Sequence, residues 1–526
     1  MMPRLAHLWA AFSRRRTLAI VVIGLLPVLI RLALLPVFPI PVPAVHDEFS
    51  YLFAAKTFLL GRLANPTPPL WIHFQTFHIL GTPTYTSIFP IGQGLLLAAG
   101  KLFFGNYWFG VCLSVGLMCG TLVWMLYGWL PPRWAVFGGL LAVLQFGIAH
   151  YWMNSYWGGA LAAVGGNLLL GAIPRLKQQL RIGYAVLAGI GVGILATTRT
   201  FEGMLLTVFV FASILYWQGR YRKYTWTDVA VKGLLPFVLV LLPVLILMGL
   251  QFRAATGSPF VIPHQLYRKQ VTVMPTFAWQ KPHPEPVYYH AVIREFFVNW
   301  EPGYQDAKEW GTLRGIVPGI RERARVWGAS YFPDRLYLPL ALISLLAGFS
   351  ARIRLLGFYV LTAFLGTCLT SWTMPHYLAP VLGGLMAIHV QFLRYVHAWK
   401  WGHRRIGRWV FVAILALLAI LFAYRYALRV TPEPGYWAND RDRMERMLEQ
   451  QPGRQLVFVR YTDRHLLQDE WVYNEPDLPS SKVIWARVMT PSEDRELTSY
   501  FHDRNAWVLD ADANPPLLRR LQGDPP

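Results

Sequence analysis

Residues 230–250, AVKGLLPFVLVLLPVLILMGL, decide the fold class, because Lys232 is the only charged residue among them. A helix needs about 20 mostly apolar residues to cross the hydrocarbon core of a bilayer. The stretch therefore predicts a transmembrane helix. Further stretches of the same kind predict an α-helical polytopic membrane protein with about eleven transmembrane helices; they are residues 17–35, 107–128, 134–151, 157–173, 183–200, 203–218, 334–350, 355–373, 377–397 and 409–428.

The composition supports this prediction and argues against a soluble protein. Of the 526 residues 55% are hydrophobic and only 15% are charged, whereas soluble domains carry roughly a quarter charged residues. Mean hydropathy is +0.35. The net charge of +21 would suggest nucleic acid in a soluble protein. Here the basic residues form short groups between apolar runs, so we expect membrane lipids and no nucleic acid as partners.

The basic groups predict the orientation of the chain. Lys and Arg in short loops mark the cytoplasmic side of a membrane protein. Placing all the groups there puts the amino terminus in the cytoplasm and the carboxyl terminus outside. The groups are Arg14–Arg16; Arg133; Arg175, Lys177 and Arg181; Arg220, Arg222 and Lys223; Arg352 and Arg354; and Arg404, Arg405 and Arg408.

Residues 88–104, IFPIGQGLLLAAGKLFF, decide the parity of this topology. Counting them as a twelfth span would move Arg133, Arg175 and Lys177 to the outside. The segment is short, begins with Pro and Gly residues and contains Lys101. We predict a helix that lies on the outer interface; a true span that breaks the charge rule is the alternative.

Three long stretches fall outside the membrane in this topology. A transmembrane domain of residues 1–428 contains two of them as loops, 36–106 and 251–333. The third is the tail, 429–526, which predicts a small soluble α/β domain. Its predicted helices are 441–450 and 495–503, and its predicted strands are 455–461, 482–489 and 506–511.

Polar and ionisable side chains collect at the outer ends of the predicted spans. Such groups near hydrocarbon are costly, and they are candidates for a functional site. Arg, Lys and His could bind an anion such as a lipid phosphate, and a carboxylate could act as a general base. The candidates are Asp47, Glu48, His73, His78, Asn154, Arg199, Glu202, His264, Arg268, Lys269 and His376.

The carboxylates and the arginine of this set also have structural interpretations. Asp47 and Glu48 could only cap a short helix, since carboxylates favour helix amino termini. Arg199 and Glu202 are three residues apart and could form a structural ion pair. Both interpretations stay open at this point.

The same holds for the remaining cations. His73 and His78 are five residues apart, which is poor spacing for one helical face, so a metal site there is the weaker interpretation. His376 could be an ordinary interface histidine. Arg268 and Lys269 could be solvated loop charges.

Several motifs resemble the GT-C superfamily of integral-membrane glycosyltransferases, in the branch of the protein O-mannosyltransferases and the aminoarabinose transferases of lipid A. The run Asp47–Ala55 resembles the acidic opening of that branch's first outer loop. Gly61–Leu63 is similar to the end of its first interfacial helix, and 88–105 to the last interfacial helix. Thr198-Arg199 ahead of Phe201–Gly203 resembles its short basic turn after the fifth span.

The resemblance implies a function. A sugar would move from a polyprenyl-phosphate donor to an acceptor hydroxyl on the periplasmic face of a bacterial inner membrane. Asp47 would be the base, and Arg199, with Arg268 or Lys269, would neutralise the lipid phosphate. Glu48 would hold the acceptor or a divalent metal, if one is used. The sugar and the acceptor are not specified.

One motif departs from that family, and two other functions stay open. Members often place a second acid after the third span, but residues 151–157, YWMNSYW, have no carboxylate. A transporter would need a midplane site at the junction of two repeated halves, and the sequence shows no such repeat. A non-catalytic envelope scaffold with a partner-binding tail is the other alternative.

Overall fold

A computed structural model describes residues 2–304, 313–331, 351–430 and 436–521. The predicted span 334–350 lies outside the described residues. Helices in chain order are α1 Met2–Arg14, α2 Arg16–Ala33, α3 His46–Leu59, α4 Ile91–Phe104, α5 Trp108–Leu126, α6 Pro132–Phe146, α7 Ala160–Gln178, α8 Ile182–Ala196, α9 Thr200–Tyr221, α10 Trp226–Thr256, α11 Pro263–Val271, α12 Leu313–Tyr331, α13 Ala351–Thr367, α14 Pro375–Ala398, α15 Gly407–Val430, α16 Trp437–Gln450 and α17 Pro491–Tyr500. Short helical turns occur at Trp71–Phe74, Ala291–Arg294, Glu295–Trp300 and Glu301–Tyr304.

Ten of the eleven predicted spans coincide with helices in the described residues. Six described helices are long and apolar enough to cross a membrane by themselves: α2, α5, α9, α10, α14 and the Gly407–Tyr424 part of α15. The chain is therefore a polytopic membrane protein. The total of eleven spans stays a prediction, because α6, α8 and α13 have at most 17 residues.

The helices α1, α2, α5, α6, α7 and α8 meet at the end of the bundle that carries the basic groups. The Tyr127 hydroxyl, after α5, donates to the Ser13 carbonyl at 2.8 Å. Arg175 Nη2, near the end of α7, donates to the Trp124 carbonyl at 2.7 Å. We call this the basic end.

At the opposite end, a buried arginine bonds to one of the polar candidates, Asn154. Arg31, near the end of α2, is fully buried. Its Nε donates to Asn154 Oδ1 at 2.8 Å, and its two Nη atoms donate to the Phe38 and Pro39 carbonyls at 2.6 and 2.7 Å. A buried guanidinium needs such partners. These bonds fix the start of the first loop against the 148–159 connection, and we call this the site end.

The helix α4 begins and finishes at the site end. Near its start, the Gly92 amide donates to the Thr197 carbonyl at 2.8 Å. After its end, Trp108 Nε1 donates to the Met153 carbonyl at 2.9 Å. With 14 residues it is about 21 Å long, shorter than a bilayer core of about 30 Å. This geometry agrees with the predicted interfacial helix.

The tail contains the elements that its sequence predicts, with shifted bounds. Strands β4 Arg454–Arg460, β5 Val483–Arg487, β6 Arg504–Asp510 and β7 Leu517–Arg520 form one sheet in the order β5-β4-β6-β7, and β1 Asn65–Pro66, β2 Ile79–Leu80 and β3 Thr84–Ser87 form a smaller sheet in the first loop. The β4 strand is parallel to β5 and β6, while β7 is antiparallel to β6. Helices and strands alternate along the tail, and this order is typical of a sheet with parallel strands.

The tail shares a hydrophobic core with the first loop. Phe49, Phe53 and Phe74 of the loop lie in one buried cluster with Phe458 and Ile484 of the sheet. Polar contacts add to it, since the buried Arg487 pairs with Glu470 and donates from Nε to the Gln75 carbonyl at 2.8 Å. The boundary at residue 429 therefore stays a prediction, because the tail and the loop pack as one layer.

Candidate functional site

The two neighbouring carboxylates at the start of α3 lie in different environments. Glu48 is 3% exposed. Its Oε2 accepts from the Ala44 and Val45 amides at 2.8 and 3.0 Å, and its Oε1 accepts from the Tyr156 amide at 2.8 Å. Burial raises the pKa of Glu48 to about 7, against the opposing effect of these three amides. Glu48 thus caps α3 and ties it to the 148–159 connection.

Asp47 points the other way and keeps its oxygens available. Its side chain is 19% exposed, and Oδ1 lies 3.4 Å from His78 Nδ1. That approach has the length of an ion pair and does not meet hydrogen-bond geometry. Asp47 is therefore the carboxylate that could accept a proton from a substrate.

His78 is held in an unusual backbone conformation beside Asp47. Its φ is +60°, a region that non-glycine residues adopt sparingly. Its amide donates to the Tyr267 hydroxyl at 3.0 Å, and its carbonyl accepts from Ser50 Oγ at 2.6 Å. Backbone conformations of this kind persist where the surroundings fix them, and they cluster at functional sites.

Arg199 is positioned by the close approach of α4. It precedes α9, in a turn whose Thr197 carbonyl accepts the Gly92 amide at 2.8 Å. A Cβ at Gly92 would lie 2.7 Å from that carbonyl oxygen. The glycine therefore permits the contact that fixes the turn, and with it the direction of Arg199.

The Arg199 guanidinium stacks on an aromatic ring. Its Cζ lies 4.8 Å from the centre of the Tyr377 ring, at the start of α14. Among the described residues no carboxylate oxygen is within 4.0 Å of it. Glu202 is buried one turn into α9 and acts on Arg199 only through its charge. A direct ion pair between the two is absent, which favours a binding role for the arginine.

Asp47 and Arg199 meet around two tyrosines. The charges of both act on Tyr51, which lies one turn after Asp47 in α3 and stacks on Phe89 at 4.5 Å. Burial raises the pKa of the Tyr51 hydroxyl. Both charges also reach Tyr377. The site thus holds an anion and a cation that face common neighbours.

Two histidines next to this site are held neutral. Burial, together with the charge of Arg268, lowers the pKa of His264 to about 3. Burial and His78 lower that of His46 to well below its usual value. His46 Nε2 lies 3.1 Å from the Leu467 carbonyl and must be its donor, so Nδ1 accepts from the Tyr473 hydroxyl at 2.8 Å. The tail thereby supports the residue that precedes Asp47.

His376 joins the same region from α14. It is 2% exposed, its Nδ1 lies 3.2 Å from the Tyr151 hydroxyl, and its ring meets Trp157 edge-on at 4.9 Å. The charge of Arg199 reaches it. The structure therefore brings Asp47, His78, Arg199, Glu202, His264 and His376 into one cluster, which we call the acid–arginine site.

The two cations of α11 lie at its edge. Arg268 Nη1 donates to Glu301 Oε1 at 3.0 Å, and Nη2 donates to the Met274 carbonyl at 2.9 Å. Glu301 is buried and also accepts from Trp372 Nε1 at 2.5 Å. Arg268 is thus occupied in holding the second loop, and Lys269 is exposed.

His73 and Asn154 lie elsewhere at the site end. His73 Nε2 is 3.2 Å from Asp494 Oδ1 in the contact between the first loop and the tail. Asn154 accepts from Arg31 and donates from Nδ2 to the Ile148 carbonyl at 2.7 Å. Both side chains serve packing contacts, and neither belongs to the acid–arginine site.

The sequence analysis missed the aromatic residues of the site. Tyr51 could have been found, because it stands four residues after Asp47 and so shares its helical face. Tyr377 adjoins a predicted histidine. Tyr473 carries no such signal, because 427 residues separate its partner from it. Within the described ranges no group of three or more His, Cys, Asp and Glu side chains is arranged to hold a metal ion.

Comparison with known proteins gives a fold but no sequence relative. Neither a protein-family model nor a curated protein sequence matches the chain. Among solved structures it is similar to ArnT from Cupriavidus metallidurans bound to undecaprenyl phosphate, with 13% identity, 97% of this chain and 93% of that chain covered, and a TM-score of 0.51. The chain shares the fold of that structure, which belongs to the GT-C superfamily of membrane glycosyltransferases.

Two further structures of that superfamily give lower scores. The apo form of the same ArnT has 13% identity, covers 96% of this chain and 93% of that chain, and has a TM-score of 0.49. The oligosaccharyltransferase of Archaeoglobus fulgidus in the apo form has 13% identity, 94% and 69% coverage, and a TM-score of 0.46.

The shared fold confirms, at the level of fold, the GT-C resemblance that the sequence indicates. In this chain the 151–157 connection has no carboxylate of its own. A carboxylate from α3 reaches this connection instead, because the Tyr156 amide donates to Glu48 Oε1.

Proposed function

We propose that the protein is a membrane glycosyltransferase that moves a sugar from a polyprenyl-phosphate donor to an acceptor hydroxyl. The observation that carries this proposal is the acid–arginine site itself. Asp47, with free carboxylate oxygens, and Arg199, with no carboxylate within 4.0 Å among the described residues, face the same two tyrosines at one end of the helical bundle.

Asp47 is the base in this proposal. The acceptor hydroxyl gives its proton to the Asp47 carboxylate while its oxygen attacks the anomeric carbon of the sugar. The bond between that carbon and the phosphate oxygen breaks, and its electron pair leaves with the lipid phosphate. A base in this position contributes typically 10²–10⁴-fold to rate. His78, 3.4 Å away, orients the carboxylate.

Arg199 stabilises the leaving phosphate. A guanidinium binds phosphate with two parallel hydrogen bonds, and its charge acts more strongly in a site that excludes water. Because His264 and His46 are neutral and Arg268 is engaged by Glu301, positive charge in the site is concentrated on Arg199. His264 and His376 remain as neutral hydrogen-bond partners for the donor.

The remaining candidates have supporting roles. Glu48 fixes α3 through three backbone amides, and Arg268 orders the second loop, so both place the site indirectly. Lys269, exposed beside Arg268, can meet a phosphate only from outside the cluster. His73 and Asn154 hold the loops that frame the substrate.

We place the site on the periplasmic face of a bacterial inner membrane, with residues 1–428 as the transmembrane domain and 429–526 as a periplasmic one. The alternation of basic groups with long loops supports this orientation. ArnT from Cupriavidus metallidurans, whose fold this chain has, is bound to undecaprenyl phosphate in its solved structure. That lipid is the product that the proposed reaction would release from an undecaprenyl donor.

The product lipid provides a test that needs no knowledge of the sugar. We expect undecaprenyl phosphate to raise the melting temperature of the purified protein in detergent micelles, and undecaprenol, which lacks the phosphate, to leave it unchanged. Arg199→Gln should abolish the difference, whereas Arg220→Gln, at the basic end, should keep it. Equal shifts with both lipids in the wild-type protein would refute a phosphate-specific donor site.

A further inference from the structure

A cavity of about 360 Å³ opens at the basic end of the bundle. It lies at the far end of the helices from the acid–arginine site, between α1, α6 and α14. Arg14, Arg133 and Arg394 line it, and Trp134, Ala10 and the Pro131-Pro132 turn form its apolar walls. Its volume falls within the range of small-molecule sites.

The three arginines reach the cavity from three separate segments of the chain. Two of them, Arg14 and Arg133, also belong to the basic groups of the predicted topology. Here the last residue of α1, the second residue of α6 and a residue near the end of α14 converge. The α6 helix also begins at the cavity, and its dipole adds positive potential there.

None of the described residues that line the cavity carries a carboxylate that would balance this charge. Asp228 is the sole acidic residue of the connections at the basic end, which are 127–133, 179–181, 222–229 and 399–406. Asp228 pairs with Lys232 at 2.7 Å. The Arg394 side chain donates a hydrogen bond from Nη1 to Gln391 Oε1 at 3.4 Å. Among the described residues, the three arginines of the cavity therefore have no carboxylate as an ion-pair partner.

The surroundings of the cavity are those of a membrane interface. Trp134 packs edge-on against His397 and Phe411 at 5.8 Å each, and Trp409 is 77% exposed. Tryptophan settles at the level of lipid headgroups. On α1, Leu8 is 66% exposed while Trp9 and Phe12 pack on the core, the pattern of a helix lying in the interface plane.

We propose that this cavity binds the phosphate headgroup of an anionic phospholipid in the leaflet opposite the acid–arginine site. Three guanidinium groups match the phosphate oxygens with paired hydrogen bonds, and basic pockets between transmembrane helices are a known form of lipid-headgroup site. Trp134 and Ala10 cover the glycerol. The site is independent of the proposed transfer reaction.

The test compares lipids and matched charge variants of the full-length protein. In nanodiscs, phosphatidylglycerol should raise the melting temperature above that in phosphatidylcholine. The triple variant Arg14→Gln, Arg133→Gln, Arg394→Gln should lower apparent affinity for phosphatidylglycerol by about two orders of magnitude. The control, Arg220→Gln, Arg404→Gln, Arg405→Gln, removes equal charge from exposed positions outside the cavity and should keep it.

Two further experiments are needed. One distinguishes a lipid phosphate from free phosphate, and the other uses a milder variant in case the triple variant does not fold. Inorganic phosphate at millimolar concentration, added to lipid-free micelles, should give no stabilisation; if it matches phosphatidylglycerol, the ligand is a soluble phosphate and the lipid site is refuted. Arg394→Lys keeps the charge but not the paired geometry, and should lose part of the affinity even if the triple variant does not fold. Equal losses in the triple variant and its control would leave only a general charge effect and overturn the proposal.

Discussion

The two ends of the helical bundle are charged differently, although the same helices build both. At the site end the charges of Asp47 and Glu202 act on Arg199, and Arg268 pairs with Glu301. At the basic end Asp228 is the single acid of the connections, and arginines line an open cavity. General-base catalysis needs a base within reach of the proton that is transferred, and in the proposed function that base, Asp47, lies at the site end. The basic end is equipped to bind an anion and to set orientation.

The two ends of the bundle also differ in how far other segments of the chain cover them. The tail and both long loops cover the site end, where His46 bonds to Tyr473 and His290 Nε2 lies 2.8 Å from the Ile72 carbonyl. Within the described residues, the connections at the basic end are short. A covered end excludes water and strengthens its charges, whereas charges at an open end are screened.

The largest expected difference between the ends is in their accessibility to a membrane-impermeant label, which should be all or none. In a protein whose three cysteines are replaced by alanine, Ser480→Cys in the tail should react with a membrane-impermeant maleimide in intact cells. His403→Cys, between α14 and α15, should react only after the membrane is permeabilised, because basic connections stay in the cytoplasm. The reverse pattern would invert the topology and move the site to the cytoplasm.

The next effect is on transfer rate. Asp47→Asn keeps the shape of the side chain and removes the base, so sugar transfer should fall by about two to four orders of magnitude with unchanged expression. The matched change at the other end, Asp228→Asn, should leave transfer unaltered. Near-normal transfer by Asp47→Asn would eliminate it as the base, and an inactive Glu48→Gln beside it would exchange the two roles.

A smaller effect is expected at Arg199. Lysine cannot copy the paired hydrogen bonds of a guanidinium, so Arg199→Lys should raise the KM for the donor about tenfold to a hundredfold and change the KM for the acceptor less. Arg220→Lys at the basic end is the control.

A double-mutant cycle tests the structural alternative for Arg199. If Arg199 only balances the buried Glu202, then Arg199→Ala should destabilise the protein, and changing both residues should recover most of the loss. Recovery of both melting temperature and transfer in the double variant would make Arg199 a structural residue. The phosphate site would then have to be sought at Arg268, Lys269 or His376.

The smallest expected effect concerns the stability carried by Glu48. Its pKa is raised from 4.5 to about 7 in the folded protein, chiefly by burial. The folded state therefore holds this proton more tightly than the unfolded state. The contribution of Glu48 is present below pH 4.5 and is lost as the pH rises to 7, a change of about 3 kcal/mol.

Glu48→Gln removes that titration. The advantage in melting temperature of the wild-type protein over Glu48→Gln should shrink between pH 4.5 and 7, whereas Glu496→Gln, which changes an exposed carboxylate of the tail, should show a constant offset. A wild-type advantage that grows with pH would mean that the three amide bonds outweigh burial and lower the pKa.

Much of the fold follows from local properties of the sequence. Apolar stretches of about 20 residues located ten helices in the described residues, six of them long and apolar enough to cross a membrane by themselves, and the interfacial position of α4 stays a prediction. Alternating patterns located the helices and strands of the tail. Hydropathy, charge and periodicity act over one or two turns, so the chain displays them before it folds.

The sequence predicted the candidate site only in outline. Asp47, His78, Arg199, Glu202, His264 and His376 lie in one region of the structure, and their functional roles stay a prediction. The sequence could not separate Asp47 from Glu48, because both precede the same helix. It could not show that Arg268 is engaged by Glu301, 33 residues away, or that His73 faces the tail.

What the sequence determined by itself is therefore where the described helices lie along the chain and the end of the bundle at which acids accumulate. Tertiary structure decided which of those acids is free. Glu48 is bonded by an amide 108 residues later, His46 by a hydroxyl 427 residues later, and Arg31 by an amide side chain 123 residues later. Such partners depend on how distant segments pack, since a buried polar group must find its hydrogen bonds wherever the fold places them.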